Sequence, residues 1–170
     1  MRLLISAILV FANFILQTTL FQLFAIRGVL PNTALIIVIS YTLLRGSREG
    51  ALIGIAAGLL QDIFFRGTLG FYSVLYLLLA VPFGRIQKDF YRENYILPVL
   101  FCSVAACLYE AAVYIVGFVF HGTGNVLYFL FRVMLPIMVY TAVVTVPVYR
   151  ILFSINDWLE LKEKYKYRLF

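Results

Sequence analysis

Histidine is almost missing from this chain, which has one, His121, and only eight of its 170 residues are acidic. Metal centres and general acid–base sites draw on those residue types. The two cysteines, Cys102 and Cys107, stand five apart in an apolar segment. That fits neither a CxxC pair nor a metal spacing, and both read as buried helix residues. No GxSxG, HExxH or phosphate-loop motif occurs, and no two carboxylates are closely spaced within an apolar segment. Together these absences argue against an enzyme, and neither a cofactor nor a metal is expected. Charge is scarce too, at 13% of residues, and no polar stretch is long enough to form a separate soluble domain.

What fills the chain instead is apolar. Hydrophobic residues make up 64% and mean hydropathy is +0.98, where a soluble domain has about 45–50% apolar residues. The reading is an all-α integral membrane protein of one domain. The first apolar run, MRLLISAILVFANFILQTTLF, is longer than a signal-peptide core, so it reads as a retained first helix.

Spans of about 20 apolar residues can be laid out from the turn signals. Helix 1 is expected over 3–24, helix 2 over 33–44, helix 3 over 50–65, helix 4 over 70–84, helix 5 over 95–120 and helix 6 over 126–153. Pro136 and Pro147 are expected to kink the last one. A transmembrane domain of residues 1–153 would then precede a basic amphipathic tail, 154–170, in which Trp158, Leu161, Tyr165 and Leu169 recur every three or four residues. Six crossings place both termini on one side. Eleven basic residues fall on that side, including Arg45, Arg48, Arg85 and Arg150, while Arg27 and Arg66 fall on the other. The positive-inside rule makes the first side cytoplasmic. This topology accounts for the net charge of +6, so the expected surroundings are a lipid bilayer, with no role for nucleic acid.

One stretch orders the rest: GSREGALIGIAAGLLQDIFFRGTLG, residues 46–70. Gly50, Gly54 and Gly58 fall every four residues and share a helix face, a ridge that admits another helix at close range. This glycine helix is expected to be the packing centre. Asp62 continues the spacing at the far end of the helix, close to Arg66. Two more charges lie within spans, Glu110 in helix 5 and Arg132 in helix 6. A charge at the bilayer centre costs roughly 2.5–3.5 kcal/mol on insertion scales, so each should find a partner inside the bundle. Reflection about the turn at 122–124 brings Arg132 to within about one helical turn of Glu110, so the two could pair. Asp62 is the other candidate for Arg132. Asn13 and Gln17, four apart on helix 1, read as hydrogen-bonding glue within the bundle or as a contact with another membrane protein's helix.

The order of these features resembles the MreD family of bacterial rod shape-determining membrane proteins. The resemblance runs from Gln17-Thr18-Thr19-Leu20 through Gly28, Pro31-Asn32, Arg45-Gly46 and Gly50-Ala51. Its most marked part is Gly54, Gly58-Leu59-Leu60-Gln61-Asp62 and Gly67-Thr68-Leu69-Gly70. Beyond Tyr95 only the hydropathy matches. Asn32 stands where the family often has Asp, so that loop keeps hydrogen bonding without the charge. The resemblance implies a non-enzymatic component of the cell-elongation machinery in the cytoplasmic membrane. Its partners would be MreC and, within the same complex, RodA, a class B penicillin-binding transpeptidase and MreB. A homodimer is compatible with it. The fold implied is similar to the S-components of energy-coupling-factor transporters. That similarity frames the alternative function, capture of a vitamin-type substrate. Helix 1, however, has Ala7 and Phe11 where such a protein would place two alanines.

Overall fold

The computed structural model describes residues 2–23, 30–64, 69–86, 96–121 and 125–167. These are all-helical: α1 (Arg2–Leu23), α2 (Thr33–Arg45), α3 (Ser47–Phe64), α4 (Phe71–Ile86), α5 (Ile96–His121), α6 (Val126–Phe129) and α7 (Leu135–Tyr167). A π-helical turn, Leu130–Met134, joins α6 to α7 without a break. The described residues therefore form six rods. Two of them, 96–119 and 126–162, are each long and apolar enough by themselves to cross a membrane.

The centre of the bundle is α2, not the glycine helix α3. Every residue from Thr33 to Leu44 is buried, and α2 touches α1, α3, α4, α5 and α7. A helix that is apolar all round belongs in the middle of a bundle or in lipid, and its neighbours decide which. Its start is set by Asn32, whose Oδ1 accepts the Leu35 N–H at 3.0 Å. This satisfies one of the four donors a helix start leaves open. Its end is set by Gly46, at φ 95°, where a side chain would be strained. The Gly46 N–H closes back on the Thr42 carbonyl at 2.8 Å. α3 then begins at once, at Ser47 rather than Gly50, so the charged turn expected over 45–49 is one residue wide.

α3 packs most extensively on α4, and next on α2. Small residues decide how close it comes. A Cβ built on Gly50 would lie 2.8 Å from Thr42 Cα, and one on Gly58 would lie 2.3 Å from Ser73 Cα. Gly54 is less crowded, its nearest atom being Tyr76 Cβ at 3.3 Å. Gly84 of α4 meets Ser47 in the same way at the other end, with 2.4 Å to its Cα. Thus Gly50 faces α2, whereas Gly54 and Gly58 face α4.

The last rod differs from expectation at both ends. Pro136 has no N–H to give the Arg132 carbonyl four residues back. The turn before it widens instead, and the Leu135 N–H reaches the Leu130 carbonyl five residues back. At the other end the helix does not stop at Phe153 but runs on to Tyr167. Ser154 stays in the helix by donating its Oγ to the Arg150 carbonyl at 3.0 Å. Asn156 and Leu159 are buried. Asn156 Oδ1 accepts from Arg45 Nε, and its Nδ2 donates to Glu160 at 3.2 Å. The residues read as a separate tail therefore begin as a docked continuation of α7.

Candidate functional site

Short helices leave their ends inside the bundle, and the polar groups gather there. The ends of α2 and α3 and the start of α4 meet in one polar layer. Asp62, on the last turn of α3, is 2% exposed. Its Oδ2 accepts the Gly70 N–H at 2.9 Å and the Ser73 Oγ–H at 3.1 Å, and lies 3.4 Å from the Ser73 N–H. Its Oδ1 accepts the Tyr72 N–H at 3.0 Å. These amides are the open donors of the α4 N-terminus, where the helix dipole also favours negative charge. A carboxylate borrowed from α3 thus caps α4. Gly70, at φ 97°, permits the turn that brings the amides round. The crowding at Gly58 has the same cause, because Ser73 and Tyr72 are the residues Gly58 touches.

This answers what partners Asp62. Sequence pattern pointed to Arg66 or Arg132; the described partners are backbone amides and one serine. Arg66 lies outside the described residues. Residue spacing reports side chains, so donors on the main chain of the next helix leave no mark in it. The signal that could have been read is the pairing of Gly70 with Ser73 just ahead of an apolar run.

Beside Asp62, Gln61 turns to the centre. The Tyr76 hydroxyl, fully buried, lies 2.8 Å from Gln61 Oε1 and 3.1 Å from Asn32 Oδ1. One phenol proton serves one acceptor. The shorter contact takes it, the hydroxyl donating to Gln61 Oε1, while Asn32 Oδ1 is already served by the Leu35 N–H. Asn32 therefore starts α2 and sets that start against α4. Sequence reasoning gave Asn32 a hydrogen-bonding role in the loop without naming its partners, and did not select Tyr76. The Tyr76 ring stacks on Tyr109 of α5, with centroids 5.4 Å apart, and Tyr109 stacks on Tyr72 at 6.1 Å. Four helices are joined through this layer. Changing Tyr76 to Phe keeps the stack and removes the hydroxyl that Gln61 accepts from. Unpairing buried polar groups costs about 1–3 kcal/mol. We expect a melting point several degrees lower in detergent; an unchanged one would show that the hydroxyl carries no weight.

Asn13 and Gln17 lie on the edge of this layer. With Val10, Phe14, Ala34, Ile37, Ala57, Leu60 and Gln61 they line a crevice between α1, α2 and α3, about 270 Å³ including its open mouth. Both are partly buried. Phe14 closes one side by packing on Phe64, with centroids 4.8 Å apart.

Glu110 and Arg132 are not brought together. Among the described residues no ion pair joins Arg132 to Glu110 or to Asp62. Arg132 lies in the π turn, exposed, with its guanidinium 5.6 Å from the centre of the Tyr128 ring. Widening the helix ahead of Pro136 changes the direction of the residues in that turn, which a reflection about the 122–124 loop does not foresee. Glu110 stays partly buried on α5. At the opposite end of the bundle the described ion pair is Arg45 with Glu49, at 3.8 Å.

Chemically the layer is a fastening. Its named donors and acceptors pair with one another, although the buried Thr33 Oγ1 beside Asn32 has no partner among the described residues, and among the described residues no three His, Cys, Asp or Glu side chains are grouped to hold a metal ion. No curated protein and no solved structure matches the chain. A family model described as rod shape-determining protein MreD does match, over residues 1–156. That span takes in α1 to α6, most of α7 and the whole polar layer, and it makes this chain a member of the MreD family of rod shape-determining membrane proteins.

Proposed function

We propose that this chain is a non-enzymatic, six-span component of the bacterial cell-elongation complex. In this reading it binds MreC and helps organise the lateral wall-synthesis machinery, which includes RodA, a class B penicillin-binding transpeptidase and MreB. The observation that carries the reading is the family match over residues 1–156. The build supports it: the buried polar groups of the central layer are used to hold helices together, which suits a protein that presents surfaces. The eleven-to-two distribution of basic residues supports a cytoplasmic position for both termini. The Arg45 end of the bundle then faces the cytoplasm, and the Asp62 layer lies toward the outer side.

The test is co-expression with MreC, extraction in mild detergent and capture through a tag on this chain. MreC is expected in the eluate in fixed ratio, with no small molecule retained. Retention of a vitamin without MreC would instead favour an S-component-like uptake protein.

A further inference from the structure

We propose that the inner end of α7 carries a binding site for an anionic phospholipid, in which the Trp158 ring meets the glycerol and upper acyl region and Lys162 holds the headgroup phosphate. The inference goes beyond partner binding and needs no MreC. It takes from the reading above only that the Arg45 end of the bundle is the inner one.

Three observations meet at this place. First, one face of α7 runs unbroken from the span to this end. Leu135, Val139, Val143 and Val146 are exposed and recur every three or four residues, which is one face of a helix. Trp158 and Leu161 are exposed on the continuation of that face, while Thr145, Tyr149, Asn156 and Leu159 are buried on the opposite one. The stretch 126–162 is long and apolar enough to cross a membrane, so lipid covers the exposed face through the span. The same face carries Trp158 and Leu161 just past the level where Arg45 meets Asn156.

Second, the last rod carries two exposed pairs of a cation over an aromatic ring, both at a spacing of four residues. The Arg132 guanidinium lies 5.6 Å from the centre of the Tyr128 ring, and Lys162 Nζ lies 3.8 Å from that of Trp158. The two rings are thirty residues apart, about 45 Å along a helix. A bilayer with its headgroups measures about 40–45 Å. One ring at one headgroup layer therefore puts the other at the opposite layer. Tyr and Trp are the side chains that collect at those two levels. This spacing places the Trp158 ring at headgroup depth.

Third, the charge at this depth is basic and points the right way. Helix side chains lean toward the N-terminus, so Lys162 reaches back toward the bilayer and sets its ammonium over the indole face. The ring takes one side of the ammonium, which leaves N–H donors for a phosphate. Of the nearby acids, Asp157 lies on the other flank of Trp158, about 100° round the helix. Glu160 turns to Asn156 Nδ2, at 3.2 Å. Beyond Lys162 the sequence adds Lys164, Lys166 and Arg168 against Glu163. A zwitterionic headgroup brings its own cation beside its phosphate. An anionic one leaves the phosphate charge for the protein to meet, and charge complementarity selects it.

Trp158 is the one tryptophan of the chain, so tryptophan fluorescence reports this site alone. The full chain is placed in phosphatidylcholine nanodiscs holding the same small fraction of a lipid brominated high on its acyl chains, either phosphatidylglycerol or phosphatidylcholine. Brominated phosphatidylglycerol should quench Trp158 about twofold more strongly than brominated phosphatidylcholine. Lys162→Gln should make the two equal, and Lys162→Arg should keep the preference. Lys166→Gln removes the same charge about 12 Å along the helix from Trp158 and should keep most of it. Melting points of all three variants should match the parent, since Lys162 is exposed. Equal quenching by the two lipids in the parent overturns the site. Quenching by neither means that protein or water covers the ring, and overturns it as well. A preference that survives Lys162→Gln, or falls as far with Lys166→Gln, belongs to diffuse surface charge and also overturns it. MreC is absent from the nanodiscs, so a failure here leaves the proposed function standing, and a failure to capture MreC leaves this site standing.

Discussion

Gly58→Ala is expected to lose the α3–α4 interface. The new methyl would lie 2.3 Å from Ser73 Cα and 2.4 Å from Ser73 N, and both are main-chain atoms of a capped helix start. Neither can swing aside as a side-chain tip would. Relief requires α3 and α4 to part, which also pulls Asp62 away from its amides. Overpacking a close-packed site costs typically 1–3 kcal/mol. With the cap strained as well, we expect about 3 kcal/mol, less roughly 1 kcal/mol returned by the better helix propensity of alanine. The measurement is thermal unfolding in detergent, together with the amount of protein in the membrane. The series gives the reading its force. Gly50→Ala, 2.8 Å from Thr42 Cα, should be similarly damaging. Gly54→Ala, at 3.3 Å from Tyr76 Cβ, should be mild, and Gly117→Ala, facing open space, should be neutral or slightly stabilising. If Gly58→Ala melts with Gly117→Ala, the ridge does not set the helix spacing.

Asp62→Ala should be the most damaging single truncation in the polar layer. It strips acceptors from the Gly70, Tyr72 and Ser73 amides and from the Ser73 hydroxyl. These groups are buried or half-buried, and water does not readily replace the lost oxygen atoms. At about 1–3 kcal/mol for each unsatisfied group, and allowing for partial relaxation, a loss of roughly 4 kcal/mol follows. A stability of 5–15 kcal/mol is usual for a folded domain, so the variant should be depleted in cells and should melt far below the parent. Asp62→Asn keeps one carbonyl oxygen and should fall between the two. A parent-like melting point for Asp62→Ala would mean that the α4 N-terminus has other acceptors. A further contrast separates this role from an ion pair: Arg132→Gln should leave stability unchanged, since Arg132 is exposed beside Tyr128.

Much of the architecture could be read from residue order. Helix bounds for α2 and α5 came within about a residue, because Asn32, Gly46 and the polar segment before Ile96 punctuate them. The four-residue glycine spacing marked a close-packing face, although it could not say that Gly50 serves one neighbour and Gly58 another. The central position of α2 was not legible. TALIIVISYTLL has no polar face, and such a helix looks alike whether protein or lipid surrounds it. The continuation of α7 was missed for a local reason. Ser154 and Asn156 are common helix-stop residues, but here Ser154 bonds back to Arg150 and Asn156 is held by Arg45 at the end of the central helix. The Glu110–Arg132 pairing failed on a detail of backbone winding, the π turn before Pro136.

The brevity of α2 bears on the membrane itself. Thirteen residues make a helix about 20 Å long, against a hydrocarbon layer of about 30 Å. Asn32 caps one end and Gly46 the other, and every residue from Thr33 to Leu44 is buried. Lipid tails therefore never meet the short helix: its neighbours stand between, and α5, with 26 residues or about 39 Å, supplies the apolar depth that α2 lacks.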